Sequence, residues 1–519
     1  MSRKPKLELT WVGKEDRPRL EPRVLIDVPG LSHAGGPGIM DNLLVQGDNL
    51  LALKALEAEY AGRVKCVFID PPYNTGSAFE HYDDGLEHSI WLSMMRDRLE
   101  VIRSLLLPDG SLWVTLDDNE AHYFKVMADE VFGRGNFVSS FAWNSRKSMQ
   151  NDARFTLNHN WVLLYAKDVF ALQTNRMPAS EDKFSNPDND PRGPWTADPF
   201  DAPNIRPNLT YEITNPNTGV VYLPPSGRCW RTTPEEYQRL NAEKRIVFGK
   251  TGKSKPQAKR FLSEASERGQ VPGTWWEDVG TATEATKELH ELLGREQGFQ
   301  TPKPERLLQR IVTLATNPGD LVLDSFAGSG TTGAVAHKMG RKWIMVEIGD
   351  HAKTHIVPRL KKVIDGADAG GVTAATGWQG GGGFRFCTLG PSLITRDKWG
   401  REVISAAYDG PLLAQALCKI KGFRYAPSET DWWVQGRSSD SDFLHVTTQT
   451  LSHEQLAELS ELVGEDRSLL ILCAAWRGDE RAFPNLTIAK IPDDVLKQCD
   501  FGREDYGLPI AEPDAGDAP

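Results

Sequence analysis

The residues best suited to chemistry form one short stretch, Asp70-Pro-Pro-Tyr73, which directly follows an apolar run that begins at Val64. The run is largely β-branched or aromatic and predicts a buried parallel strand. The prolines continue neither strand nor helix, because each fixes its own φ and lacks an N–H group. A carboxylate, a rigid turn and an aromatic ring are thus presented at the carboxyl end of a strand, where open α/β sheets bind ligands. A proline-rich strand exit with a capping aspartate is the alternative for this stretch alone.

A second stretch, from Asp324 to Thr332, combines a strand end, a glycine-rich loop and the start of a helix. Gly328 and Gly330 allow the backbone to approach a ligand, and the new helix offers free N–H groups to an anion. The lysine of a nucleotide-triphosphate loop is absent, and the loop is too short for the dinucleotide pattern Gly-x-Gly-x-x-Gly. Glu347, at the end of the next predicted strand, has the placement of a ribose ligand. S-adenosylmethionine satisfies these features, since its carboxylate can meet the loop and its ribose can meet Glu347.

A third group is a basic run within residues 171–298, a segment rich in Pro, Gly, Asn and Asp. From Lys244 to Arg260 the chain carries seven lysines and arginines and no acidic residue. The mixture with glycine and proline predicts a flexible loop that follows a phosphate backbone, and a solvated protein surface is the alternative. The residues assigned to this contact with a phosphate backbone are Lys253, Lys255, Lys259 and Arg260.

Composition limits the classes of protein to which the chain can belong. Its 519 residues exceed one ordinary core and predict two or three domains. No apolar run approaches a membrane span, and the N-terminus shows no sign of secretion, so a cytoplasmic protein is expected. The six cysteines are scattered, which predicts neither a disulfide framework nor a metal site. The net charge of −11 argues against nucleic-acid binding over the whole surface but allows a local basic groove.

Strands and helices alternate around the two motifs. In the first half the pattern predicts a strand, a turn and a helix at 43–56. It predicts further strands at 64–69, 111–116, 137–143 and 161–165, and helices at 88–107 and 119–132. A turn at 108–110 ends the helix at 88–107. In the second half it predicts strands at 321–324 and 343–347. It also predicts three helices: one at 301–312, one that follows the glycine-rich loop and ends at 339, and one that follows the second strand and ends at about 364. This alternation favours a layered α/β sheet.

The two motifs together carry a family resemblance. Asp70-Pro-Pro-Tyr73 with Phe326-x-Gly-x-Gly330 resembles the amino-group DNA methyltransferases, and the catalytic motif precedes the cofactor motif as in their β class. Four further stretches are similar to the modification subunits of type III restriction–modification systems: Gly47-Asp-Asn-Leu50, Asn74-Thr-Gly76, Thr301-Pro-Lys-Pro-Glu-Arg306 and Gly381-Gly-Gly-Phe-Arg385. The resemblance implies a doubly wound, Rossmann-like methyltransferase sheet, with an inserted target-recognition region and a C-terminal accessory α/β domain.

The predicted domain boundaries follow from this resemblance and from the changes in composition. They are an N-terminal arm (1–40), a catalytic half (41–170), a target-recognition region (171–298), a cofactor-binding half (299–366), a glycine-rich linker (367–390) and an accessory domain (391–519). A decorative insertion without a role in recognition is the alternative for the third of these.

The resemblance also implies a mechanism for the catalytic motif Asp70, Pro71, Pro72 and Tyr73. An exocyclic adenine amine is a poor nucleophile because its lone pair is delocalised into the ring. The Asp70 carboxylate and the Pro71 carbonyl can accept its two hydrogens and stabilise the positive charge that develops on nitrogen. Tyr73 offers a ring that stacks on a base taken out of the duplex. No metal is needed.

The cofactor is expected to be held by residues from both sides of the glycine loop. Those assigned to S-adenosylmethionine are Asp324, Phe326, Gly328, Gly330, Thr331, Glu347 and Lys303. For Lys303 the alternative is a surface lysine at a helix start. Asp48 or Asn49 is the expected helix cap. His159 lies where the family has a substrate-side motif, and a structural histidine is the favoured interpretation.

The sequence therefore predicts a DNA methyltransferase that acts on the N6 amine of adenine, within a type III-like restriction–modification system. Its expected partners are double-stranded DNA, a helicase–nuclease restriction subunit and a second copy of the chain, without a membrane. The nearest alternative is methylation of cytosine N4 by the same chemistry. Another is a DNA-binding specificity subunit that serves a helicase–nuclease, and methylation of RNA or a protein amide is disfavoured by the large basic and aromatic insertion.

Overall fold

The computed structural model describes residues 8–36, 41–74, 84–149, 154–179, 181–249, 251–295, 299 and 301–507. Two compact units make up the chain: Met1–Thr174 with Thr274–Pro519, and Asn175–Gly273. Among the described residues, every helix is too short or too polar to cross a lipid bilayer.

The first part of the larger unit alternates strands and helices as its hydrophobic pattern predicts. Its strands are β1 (Leu25–Asp27), β2 (His33–Ala34), β3 (Asn42–Gln46), β4 (Val64–Ile69), β5 (Leu106–Leu116), β6 (Phe137–Asn144) and β7 (His159–Ala166). Its helices are α1 (Asn49–Tyr60), α2 (Asp84–Leu105) and α3 (Ala121–Ala128). The Asp48 side chain caps α1 by accepting from the Leu51 N–H. The predicted turn at 108–110 lies inside β5 instead, because β5 already pairs with β4 at Leu106 and shifts register before Ser111.

The smaller unit is built from short strands and two helices. Its strands are β8 (Trp195–Pro199), β9 (Asp201–Pro203), β10 (Ile213–Thr214), β11 (Val221–Tyr222), β12 (Arg228–Trp230), β13 (Ile246–Val247) and β14 (Gln257–Phe261). Its helices are α4 (Pro234–Ala242) and α5 (Leu262–Arg268). A small apolar core holds the strands together, formed by Phe200, Ile213, Trp230, Ile246 and Phe248. The predicted flexible loop at 244–260 is wrong in part, since β14 pairs with both β8 and β13.

The larger unit resumes after this insertion. Its strands are β15 (Trp275–Trp276), β16 (Leu321–Asp324), β17 (Lys342–Glu347) and β18 (Gly383–Leu389). Its helices are α6 (Ala282–Leu293), α7 (Glu305–Ala315), α8 (Thr331–Lys338), α9 (Val357–Ile364) and α10 (Thr373–Thr376). Because β15 pairs with β6, the chain rejoins the larger unit before the predicted boundary at 298. Strand β18 lies in the predicted linker 367–390: its buried Phe384 and Phe386 give it a place in the sheet beside β3.

One large mixed sheet organises the larger unit. Its strand order is β1-β18-β3-β17-β16-β4-β5-β7-β6-β15, with β2 paired to β18. Strands β18 to β5 in this order run parallel, and β7 is antiparallel to both of its neighbours. The predicted α/β fold class is confirmed. The order also makes neighbours of β4 and β16, two strands that are far apart in the chain.

The described C-terminal residues form a five-stranded sheet and two separate pairs of short strands within the same unit. The strands are β19 (Ile394–Arg396), β20 (Glu402–Ile404), β21 (Arg424–Tyr425), β22 (Gly436–Arg437), β23 (Asp442–Val446), β24 (Thr450–Leu451), β25 (Ser468–Cys473), β26 (Ala475–Trp476) and β27 (Leu486–Lys490). The helices are α11 (Gly410–Lys421) and α12 (His453–Val463), the latter opened by a capping box of Ser452 and Gln455. The sheet order is β21-β22-β23-β25-β27.

The predicted N-terminal arm is packed against these C-terminal residues. Glu21 and Arg23 are buried, and their side chains lie 2.8 Å apart. Arg23 also pairs with Glu504 at 3.0 Å, and Glu21 accepts hydrogen bonds from Leu393 N and Ser392 Oγ. The described part of the arm is therefore a structural element of the larger unit.

Candidate active site

Two neighbouring strands bring the catalytic and cofactor motifs to one edge of the sheet. Strands β4 and β16 are parallel, with Val322 opposite Cys66 and Leu323 opposite Val67. Asp324 ends β16, and Asp70 follows the last residue of β4. Parallel strands have their carboxyl ends at the same edge, so both aspartates lie where the predicted ligand site requires them.

The Asp70 carboxylate is the centre of a polar network. Its Oδ1 accepts from the Tyr73 hydroxyl at 2.9 Å and from Thr115 Oγ1 at 2.5 Å. Its Oδ2 accepts from the Lys303 ammonium group, which also lies 5.4 Å from the centroid of the Tyr73 ring. Lys303 therefore contacts the catalytic motif, and its contact with the cofactor stays a prediction. Both Asp70 oxygens are held in place before any substrate binds.

The charges of this network are set by burial and by the short distances within it. Burial by itself disfavours the Lys303 ammonium ion, but Asp70 and Tyr73 beside it raise its pKa above the ordinary value. Burial and the adjacent Asp70 carboxylate raise the pKa of Tyr73. Lys303 is consequently a cation and Tyr73 a neutral hydroxyl near neutral pH, so both can donate to Asp70.

A buried glutamate fixes the turn that carries Tyr73. Glu120 is fully buried, and its Oε1 accepts from Asn74 Nδ2 at 2.7 Å. Asn74 has φ of 53°, a conformation that asparagine tolerates better than most residues. His88 Nδ1 lies 2.7 Å from the same oxygen, and burial raises the pKa of Glu120. The sequence showed Glu120 only as a residue near a helix start, because its partners lie on other segments.

Asn160, on β7, is hydrogen-bonded to the catalytic motif. Its Nδ2 donates to the Tyr73 hydroxyl at 3.3 Å, and its Oδ1 accepts from Ser145 Oγ at 3.2 Å. The neighbouring His159 packs edge-on against Trp161, with ring centroids 4.9 Å apart. This packing fits the expected structural histidine, whereas Asn160 is a site residue that the sequence did not single out.

The glycine loop is anchored by Asp324. Its Oδ1 accepts from Phe326 N at 2.9 Å and its Oδ2 from Thr332 Oγ1 at 2.5 Å. Complete burial raises the pKa of this carboxyl group to about 7. Gly330 precedes α8 with φ of 78°, and a Cβ atom there would lie 2.8 Å from Ile356 Cγ2. The loop thus needs glycine both for its backbone conformation and for space.

Glu347 holds the other side of the loop. Its Oε2 accepts from Gly328 N at 2.8 Å, and its Oε1 accepts from Gly349 N at 3.0 Å. His351 Nε2 lies 2.8 Å from Oε1. The residue therefore has a structural contact to the loop, and its predicted role as a ribose ligand depends on the remaining acceptor capacity of the two oxygens.

A buried ion network supports the loop from behind. Arg359 Nη1 donates to Thr331 Oγ1 at 2.9 Å and to the Ser329 carbonyl at 3.2 Å, and its Nη2 donates to Glu305 at 2.9 Å. Lys338 pairs with Glu305 at 2.8 Å and with Asp368 at 2.6 Å. The four charged side chains are at most 4% exposed. Burial disfavours the ionised Glu305, but Arg359 and Lys338 hold its pKa below the ordinary value.

The loop residues fit an anionic ligand that carries a ribose. The first N–H groups of α8 are available to a carboxylate, as at other helix N-termini. Ser325 Oγ is buried and has no hydrogen-bond partner among the described residues, while its carbonyl accepts from Asn49 Nδ2 at 2.7 Å. No group of three metal-ligating side chains occurs in the part of the chain that the structure describes.

The basic residues predicted to contact DNA lie in the smaller unit, and most are paired with acidic residues. Lys259 is buried and forms ion pairs with Asp188 and, at 2.7 Å, with Asp190. Lys255 pairs with Asp201 at 3.0 Å, Arg260 with Asp198 at 3.3 Å, and Lys253 is exposed. The acidic partners come from β8, β9 and the segment before them, so the local sequence around the basic run could not show them. Burial in two ion pairs leaves Lys259 no access to a phosphate.

Comparisons with known proteins agree with the geometry of this edge. Residues 64–358 match a family model described as DNA methylase. The chain is 31% identical over 420 residues to the probable type III restriction-modification enzyme HindVI Mod subunit of Haemophilus influenzae, covering 68% of this chain and 54% of that one. It is 33% identical over 364 residues to the StyLTI Mod subunit of Salmonella typhimurium, covering 63% and 55%. It is 30% identical over 334 residues to the type II methyltransferase M.EcaI of Enterobacter cloacae, covering 62% and 70%. The alignments thus span about half the length of the two Mod subunits.

Proposed function

Since the chain belongs to the DNA methylase family, we propose that it transfers a methyl group from S-adenosylmethionine to the N6 amine of adenine in duplex DNA. The observation that carries this proposal is the pairing of β4 with β16, which puts Asp70 beside the glycine loop at one edge of the sheet. A nucleophile held by Asp70 and a methyl donor held by the loop would meet there, so much of the rate enhancement is positioning.

The cofactor is proposed to lie along the loop that ends at α8. When bound, S-adenosylmethionine supplies an electrophilic methyl group. The N-terminus of α8 is the ligand for its carboxylate, and Glu347 is the ligand for its ribose. Asp324 and Phe326 shape the loop, because the Phe326 N–H is bound to the Asp324 carboxylate.

Asp70 is proposed to activate the target amine by accepting its hydrogens. A carboxylate has about four lone-pair positions, and in the structure it accepts from Tyr73, Thr115 and Lys303. About one position is therefore left for a hydrogen of the amine, and the Pro71 carbonyl is the second acceptor. Both acceptors stabilise the positive charge that develops on nitrogen during transfer.

Tyr73 is proposed to stack on the extruded base. Its ring is held by the hydrogen bond of its hydroxyl to Asp70 and by the side chain of Asn160. A base can reach Asp70 only after it leaves the helical stack, since enzymes that modify a base extrude it into a pocket. The raised pKa of Tyr73 keeps the phenol neutral there.

The biological setting is a separate part of the proposal. The names of two relatives describe Mod subunits of type III restriction–modification enzymes, which supports a modification subunit that works with a helicase–nuclease partner. The compact unit Asn175–Gly273 is then the target-recognition region, inserted between the two halves of the sheet. Methylation of cytosine N4 remains the alternative, and Asp in place of Ser before Pro-Pro-Tyr favours adenine.

One experiment tests the function and identifies the target. The chain is expressed in a host without DNA methylation, and the DNA is read by single-molecule sequencing. We expect N6-methyladenine at one sequence motif, which is lost with Asp70→Asn. N4-methylcytosine at a motif would establish the alternative, and unmodified DNA from cells that contain the folded wild-type protein would contradict the proposal.

A further inference from the structure

The loop between β6 and β7 begins and ends at the edge of the sheet that carries Asp70, and the structure describes its residues 145–149 and 154–158. Both β5 and β6 are antiparallel to β7, so β6 runs in the same direction as β5 and the parallel strands beyond it. Its carboxyl end therefore lies at the same edge as the catalytic motif. The loop is also tied to that motif directly, because Ser145 bonds to Asn160 and Asn160 bonds to the Tyr73 hydroxyl.

This loop exposes large apolar side chains. Met149 is 74% exposed, Phe155 is 86% exposed and Leu157 is 63% exposed. A single exposed apolar residue needs no explanation, but three in one loop beside a ligand site indicate a contact surface. The surface is defined by these three side chains together with the basic residues that accompany them.

The accompanying charges are positive. Arg146, Lys147 and Arg154 are all exposed, and the described loop residues, 145–149 and 154–158, include no acidic side chain. Lys147 lies 3.9 Å from Glu284, and the sequence between the two described parts of the loop adds one acidic residue, Asp152. Positive charge next to apolar groups is the composition that suits DNA whose bases are partly unstacked, because the cations meet phosphates and the apolar groups meet base faces.

We propose that the described residues between β6 and β7, 145–149 and 154–158, form a DNA wedge, which packs Phe155 and Leu157 against the bases exposed when the target base leaves the stack. This inference rests on the proposed DNA substrate. The wedge offsets part of the cost of unstacking the disrupted base step. The neighbouring Arg146 and Arg154 bind the phosphates on either side of the opened step.

The chain supplies a matched control for the central residue. Phe170 is 97% exposed and follows the other end of β7, so it lies at the opposite edge of the sheet. Phe155→Ala and Phe170→Ala remove the same side chain from two exposed positions of the same unit. Neither side chain belongs to a core, so both variants are expected to fold.

The test uses the full-length protein and a duplex with 2-aminopurine at the target position, whose fluorescence rises when the base leaves the stack. We expect the wild type and Phe170→Ala to give the same rise. We expect Phe155→Ala to lower it at least fivefold and to raise the Kd for the duplex about tenfold, while the Kd for S-adenosylmethionine is unchanged.

Two results would overturn the wedge. Equal fluorescence and Kd for Phe155→Ala and Phe170→Ala would remove Phe155 from the DNA contact. A changed oligomeric state for Phe155→Ala in light scattering, with unchanged fluorescence, would assign the loop to a protein interface instead. If the wild type itself neither binds nor methylates the duplex, the proposed function fails, and that outcome is distinct from both.

The basic residues are tested through salt. Replacing Arg146 and Arg154 with alanine is expected to reduce the slope of log Kd against log salt by about two, since each phosphate contact contributes roughly 0.9. An unchanged slope would contradict the phosphate contacts.

Discussion

The ammonium group of Lys303 donates a hydrogen bond to Oδ2 of Asp70 and so joins β4 to the segment that enters α7. Two residues further along, Glu305 binds Arg359, and Arg359 donates to Thr331 in the glycine loop. One short segment therefore contacts the proposed catalytic carboxylate at one end and supports the proposed cofactor loop at the other.

Replacing Asp70 with asparagine should reduce methyl transfer by at least ~10²–10³-fold, the usual cost of losing one preorganised electrostatic contact to a transition state. The amide keeps the size of the side chain but loses the negative charge that faces the amine and Lys303. The Kd for S-adenosylmethionine should stay within about twofold, because the loop contacts come from other residues. Transfer at the wild-type rate in a single-turnover assay would remove Asp70 from the mechanism.

Lys303→Met should affect transfer and not cofactor affinity. The ammonium contacts Asp70 and the Tyr73 ring, so its loss should lower the single-turnover rate by about 10–100-fold through misplacement of Asp70. Calorimetry with S-adenosylmethionine should give a nearly unchanged Kd. A large rise in that Kd, with normal turnover at saturation, would restore the cofactor role that the sequence suggested.

Glu347→Gln should affect cofactor affinity and not the rate of transfer. The amide oxygen can still accept one loop N–H, but the NH₂ group cannot accept, so the contact with Gly328 or Gly349 is lost together with a charged ribose ligand. The Kd for S-adenosylmethionine should rise about tenfold or more, as expected for a lost charged hydrogen bond. The rate of methyl transfer at saturating cofactor should be unchanged. Unchanged affinity would leave Glu347 with a structural role only.

The sequence predicted the strands and loops of this site, because their signals are local. The apolar run of β4 ends at Asp70, and that of β16 ends at Asp324, so the elements could be read from neighbouring residues. The partners of Lys303 could not, since Asp70 lies 233 residues away and only the strand order brings it near. Strand β18 was mistaken for a linker, because the glycines before it obscured the short run with Phe384 and Phe386.

The charge partners of the basic run could not be predicted for the same physical reason. Absence of acidic residues within the run predicted free positive charge, but its acidic partners come from β8, β9 and the segment before them. Lys259→Met should therefore lower the Tm of the protein by several degrees, since Asp188 and Asp190 lose their shared cation. Lys253→Ala, at an exposed position of the same run, should leave Tm unchanged. An unchanged Tm with weaker DNA binding for Lys259→Met would favour the phosphate contact after all.

The pH dependence of stability should carry a signature of Asp324. The ordinary pKa of an aspartate is 3.8, and burial raises that of Asp324 to about 7. Between these values the folded state binds a proton that the unfolded state does not, so this group makes stability fall as pH rises. Asp324→Asn stays neutral, and its amide can retain both contacts, because the Thr332 hydroxyl can accept as well as donate.

The measurement is the free energy of unfolding in urea between about pH 4.5 and 7.5. Relative to the wild type, Asp324→Asn should become more stable as pH rises, by up to about 1.4 kcal/mol per pH unit, which is the effect of one proton. Parallel curves for the two proteins would show that the Asp324 carboxyl is ionised at low pH in the folded state.

Arg359 should position the glycine loop, and Lys338 provides its control. Both cations belong to the same buried network with Glu305, but only Arg359 donates to Ser329 and Thr331. Arg359→Met and Lys338→Met should each lower Tm, because each leaves a buried carboxylate with one cation fewer. Only Arg359→Met should raise the Kd for S-adenosylmethionine, by about tenfold or more, since a displaced loop loses its aligned N–H groups. If both variants show the same Kd as the wild type at a temperature where they are folded, the network stabilises the sheet and does not position the loop.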